Sequence, residues 1–144
     1  MGTPFSDVID MALIVIQDYK LDALDDNDLE DVLIGYLVKS VPKFEGCMQS
    51  LDYDKDTQTF NSTLNNKEID ILADYTVITW FQQKLQDVLE FKEALQDPDF
   101  KRYATGQNFK PRMSYLNELR EKVRQDITDY QLESDNLNTL MGVL

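Results

Sequence analysis

Asp52, Asp54 and Asp56 alternate in the way that opens a calcium loop, where carboxylates at odd positions share one ion. The series then departs from that pattern. Its sixth position is Thr57, where the sharp turn requires glycine, and its twelfth is Thr63, where a bidentate glutamate closes the shell. Aspartate also favours turns for local reasons, because its side chain accepts from the backbone two residues on. The run therefore reads first as a turn, and Asp25-Asp26-Asn27-Asp28 reads the same way, as a turn and a helix cap. Cys47 is the one cysteine, and a nucleophilic thiol needs an activating base. The chain has no histidine to supply one, which also excludes zinc-finger, Cys–His and Ser–His arrangements. Five glycines, at 2, 35, 46, 106 and 142, form no phosphate loop. Among 27 acidic residues a carboxylate pair can be drawn almost anywhere, so no pair is informative. No catalytic, metal or cofactor site is expected, and the chain does not read as an enzyme.

Charge is more telling. The net charge of −13 argues against a surface that embraces nucleic acid. Between positions 101 and 124, however, seven cations (Lys101, Arg102, Lys110, Arg112, Arg120, Lys122 and Arg124) stand against two anions, Glu118 and Glu121. An asymmetry of this kind suits copies binding head to side, acidic face on basic face. The alternative is a solvated helix with internal pairs, such as Glu118–Lys122 and those of Arg120 and Arg124 with acidic neighbours. Lys101, Arg102, Lys110 and Arg112 are the candidate contact residues, together with Leu140 and Met141 near the end of the chain.

The elements that position these residues are helical. At 144 residues, 42% hydrophobic and 28% charged, the chain reads as one globular domain. The organising stretch is 65–96. Asn65 and Glu68 make a capping box, and Ile69, Leu72, Ala73, Thr76, Val77 and Trp80 repeat at helical spacing. Ile71, Tyr75, Ile78 and Phe81 add apolar groups on the other faces, so this helix is expected to be buried all round. It then emerges beyond Gln82 and ends near Pro98. A first helix is predicted over 4–19 with Ser6 as N-cap. A second opens at Asn27 with Glu30, and Gly35 within it suggests a close crossing with a bulky neighbour. Residues 48–64 carry no helical signal; 57–60 could be extended but find no pairing partner in the sequence. The segment 97–110 is irregular. A last helix runs from Pro111 to about Leu132 on the stripe Leu116, Leu119, Val123, Ile127 and Tyr130, followed by a tail over 133–144. The expected fold is all-α: a four-helix domain with a central buried helix, long loops and an extended C-terminal tail, its helical core at 4–132. The longest purely apolar run, 11–16, is far short of the about 20 residues that cross a bilayer. A single cysteine fits a reducing compartment.

The order and local wording of these pieces resemble the small helical neck proteins of tailed bacteriophages, the head–tail connectors, adaptors or head-completion proteins. The resemblance rests on Gly2-Thr3-Pro4-Phe5-Ser6-Asp7-Val8-Ile9, the helix over 29–44, Glu68-Ile69-Asp70-Ile71-Leu72-Ala73-Asp74-Tyr75 through Trp80-Phe81, Asp99-Phe100-Lys101, and Tyr115-Leu116-Asn117-Glu118-Leu119-Arg120. It implies a homo-oligomeric ring, commonly of twelve copies, docked under the portal protein at the capsid vertex and offering a surface to a tail-side protein. Genomic DNA passes through the lumen without sequence-specific binding, and no membrane is involved. The protein would be made in the host cytoplasm and reside in the virion. Read from charge alone, a second class stays open: a small acidic helical DNA mimic that occupies a host DNA-binding protein.

Overall fold

The computed structural model describes residues 2–18, 29–95 and 109–142; for 18, 87–95, 109–112 and 134–142 it describes the helical backbone alone. The fold is all-α with one small sheet. In chain order the elements are β1 (Thr3–Pro4), α1 (Phe5–Asp18), α2 (Leu29–Ser40), a single 3-10 turn (Val41–Lys43), β2 (Tyr53–Asp54), β3 (Thr59–Phe60), α3 (Asn66–Leu95) and α4 (Phe109–Gly142).

α3 is the axle. At 30 residues it is about 45 Å long. Both halves of its capping box form: the Asn65 side chain accepts from the Glu68 amide at 2.8 Å, and Glu68 accepts from the Asn65 amide at 2.9 Å. Ile71, Leu72, Ala73, Val77, Ile78, Trp80 and Phe81 are all buried, on more than one face, because α1, α2 and α4 each pack against this helix. Gln82 and Gln86 are exposed while Leu85 remains buried, so the helix emerges from its sheath as its composition predicts.

α1 supplies Val8, Ile9, Ala12, Val15 and Ile16 to the core at three- and four-residue steps. It starts at Phe5, whose amide donates to the Gln58 carbonyl at 2.8 Å, so Ser6 lies inside the first turn rather than capping it. The chain enters α1 directly from a strand. That strand corrects the expectation that 57–60 has nothing to pair with: β3 pairs antiparallel with β1 on one side and β2 on the other, Phe60 standing opposite both Thr3 and Tyr53. Thr3 further accepts from the Leu64 amide at 2.8 Å. Phe5 and Phe60 each meet the Tyr53 ring edge to face and tilt against one another, with centroids 4.9–6.3 Å apart. Gly2 is required beside the sheet, since a Cβ there would overlap the Phe60 carbonyl.

α2 buries Leu33, Leu37 and Ser40. Gly35 is not at a close crossing, because a Cβ there would meet nothing within 4 Å. Pro42 falls in the 3-10 turn that ends this helix. α4 packs Leu116, Leu119, Val123 and Tyr130 against the core. It does not stop near 132. No proline or glycine lies between Pro111 and Gly142, and the helical backbone runs on to that glycine, so the C-terminal tail leaves the core as a continuation of α4. None of the described helices is long and apolar enough to cross a membrane.

Candidate functional site

The sequence candidates fall at the margins. Lys101 and Arg102 lie outside the described residues; Lys110 and Arg112 occupy the first turn of α4, and Leu140 and Met141 its last, with only the backbone described there. The side chains that the described structure does bring together lie along the seam of α3 and α4.

Lys122 is the first of these. Drawn from a basic stretch, it turns inward: its Nζ donates to Asp74 at 2.6 Å, Asp126 at 3.0 Å and Asp70 at 3.3 Å. Glu118 is not its partner. The reason is burial, since Asp74 is wholly enclosed on α3 and Lys122 is the cation that reaches it. Desolvation lifts the Asp74 carboxyl to about 7 against the pull of Lys122, and the charges of Asp70 and Asp126 add to the rise. Lys122 is held above the ordinary lysine range: desolvation lowers it, but the hydrogen bond and charge of Asp74, then Asp126 and Asp70, outweigh that. Asp74 Oδ1 meets no partner among the described residues. Asp70, Asp74 and Asp126 also form the one trio among the described residues close enough to share a cation, with oxygens within 4.8 Å of one another. The ammonium of Lys122 already sits among them, so the cluster is an α3–α4 clasp. Asp52, Asp54 and Asp56 form no such group; Asp54 Oδ1 accepts from the Asp56 amide at 2.9 Å, which makes a local turn between β2 and β3.

A second polar node sits at the start of α3. Glu68 is buried yet saturated: besides capping, it accepts from Tyr130 on α4 at 2.6 Å, from Cys47 at 3.4 Å and from Gln49 at 3.5 Å. Tyr130 in turn accepts from the Met48 amide at 2.8 Å. Burial pushes the Tyr130 phenol up, and the hydrogen bond to Glu68 pushes it further. The Cys47 thiol is raised to about 11, by burial first and then by the Glu68 charge, against a lowering contact with the Gln49 backbone. A thiol so placed is protonated at neutral pH and is a poor nucleophile. The node ties the 44–51 segment to two helices.

Beside the clasp, the α3–α4 seam carries an open groove. One part, about 400 Å³, is floored by Tyr75, Ile78, Val123 and Ile127 and rimmed by Lys43, Arg120 and Arg124. A second recess, about 450 Å³, shares Gln82 and Arg120 with the first and reaches Leu116 and Met113. Lys43 donates to Thr79 at 2.9 Å, Arg120 to Asn117 at 3.3 Å, and Arg124 to the exposed Glu121 at 3.1 Å. Among the described residues no carboxylate lines the groove, though the charge of Glu45 reaches Tyr75 and, after burial, raises its phenol. Arg120 and Arg124 belonged to the basic stretch, and their four-residue spacing beside Val123 and Ile127 already put them on the edge of an apolar stripe. Lys43 could not be seen to join them, because nothing local links the end of α2 to α4. No protein-family model, curated protein or solved structure matches this chain.

Proposed function

We propose that this chain is a structural protein of the tailed-bacteriophage neck, a self-associating connector between the portal vertex and the tail that does no covalent chemistry. The observation that carries the reading is the cation-rimmed groove on a chain of net charge −13. A positive recess on an acidic molecule is suited to the acidic surface of another copy. The sheathed α3 supports it too, since a rigid core lets an external seam serve as a docking edge. In the proposed ring, commonly of twelve copies, acidic walls repel phosphates and keep passing DNA from adhering. The region around Lys101, Arg102, Lys110 and Arg112 is assigned to a neighbour or the portal protein, and Leu140 and Met141 to a further subunit contact or the tail-side protein. Immunogold labelling and mass spectrometry of purified virions test the reading: the chain is expected at the head–tail junction, and its absence from virions overturns it.

A second reading, the acidic DNA mimic, is favoured by the exposure of Asp7, Asp10, Glu30, Asp31, Asp52, Asp54 and Asp56. It requires a monomer or dimer that competes with duplex DNA for a basic partner, with affinity falling steeply in salt.

A further inference from the structure

We propose that the α3–α4 groove receives the outward face of α1 from a second copy of this chain. The inference rests on the self-associating reading above and gives it a defined contact. On α1, Asp7, Asp10, Ile14 and Gln17 follow one another at helical steps, and all four are exposed. Ile14 is 49% exposed although the inner face of the same helix already fills its share of the core. This stripe therefore offers one apolar knob with two carboxylates on the N-terminal side of it.

The groove presents the complement. Tyr75, Ile78 and Ile127 form an apolar floor for the knob, and Lys43, Arg120 and Arg124 stand on the rim to meet the carboxylates. Among the described residues neither Lys43 nor Arg120 is within ion-pair distance of an acid, and Arg124 holds Glu121 only where both are exposed, a pair that costs little to exchange. The lengths agree. The α1 stripe spans about 15 Å along its axis, and the α4 wall from Leu116 to Thr128 about 18 Å, at the helical rise of about 1.5 Å per residue. α1 contributes no residue to the groove, so face and groove are separate surfaces of one molecule. A contact between two different surfaces repeats from copy to copy, and it closes into a ring when the rotation per copy allows. Charge sets its register, which makes it sensitive to salt.

Charge reversal tests this in the full chain, with mass measured by light scattering during size exclusion at low and high salt, and with helix content checked by circular dichroism. Wild type is expected to run as a multimer that shrinks in high salt. Asp7→Lys with Asp10→Lys, and separately Arg120→Glu with Arg124→Glu, are each expected to give monomer, while all four changes in one chain restore the multimer. Ile14→Ala, which alters no charge, is expected to weaken association about tenfold. A multimer indifferent to either reversal overturns this contact and leaves self-assembly standing. A wild-type monomer under all conditions overturns both.

Discussion

The phenol of Tyr130 donates to the carboxylate of Glu68 at 2.6 Å, joining the middle of α4 to the first turn of α3 across 62 positions of sequence. Both residues are buried, and the Tyr130 oxygen also accepts from the Met48 amide. Tyr130→Phe keeps the edge-to-face contact with Phe44 but strips a buried carboxylate of its shortest donor and a backbone amide of its acceptor. A loss of about 1–3 kcal/mol is expected in urea denaturation, the usual cost of a buried polar group left short of a partner.

The Asp74 proton makes stability depend on pH. Its carboxyl titrates near 7 in the folded chain against about 3.8 in the unfolded one. Between those values the native state binds the proton and the unfolded state does not, so this group's contribution falls as pH rises from about 4 to about 7 and is flat beyond. The limiting slope is about 1.4 kcal/mol per pH unit. Asp74→Asn cannot ionise. Its stability relative to wild type is therefore expected to climb through that window, as followed by denaturation midpoints at successive pH values.

Cys47 offers a chemical probe of the same region. A thiol raised from 9.0 to about 11 holds about a hundredfold less thiolate at pH 8, and the thiolate is the reactive form. Reaction with a disulfide reagent is expected to be slow in the native chain and to reach the rate of an ordinary thiol in denaturant.

Gly35 is a site for stabilisation. It is exposed within α2, with open space where a Cβ would stand. Gly35→Ala is expected to raise stability by about 0.5–1 kcal/mol in thermal or chemical unfolding, because alanine loses less backbone freedom in a helix.

These sites show what the sequence could convey. The Asn65–Glu68 box and the apolar wrap from Ile71 to Phe81 are local patterns, and both stand as predicted. The second duty of Glu68, as acceptor for Tyr130, depends on two helices meeting and leaves no mark at either position. Lys122 is a sharper case: its neighbours in sequence placed it in a basic surface, whereas a buried aspartate on another helix claims it. Two-residue strands such as Thr3–Pro4 and Thr59–Phe60 are too short to show a period, so the sheet was invisible until the chain closed on itself. Polar residues thin the apolar stripe of α4 beyond 132 and hide its true end, although nothing in 133–141 breaks a helix. The cationic groove shares this character, with Lys43 brought to Arg120 and Arg124 by tertiary packing alone.

Trp80 is the sole indole of the chain, it is 2% exposed, and its Nε1–H finds no acceptor among the described residues. A ring kept that dry emits at short wavelength, and wetting it shifts the light to the red. The chain thus carries its own fluorophore at the axle of the fold, and its colour reports whether the three surrounding helices are closed.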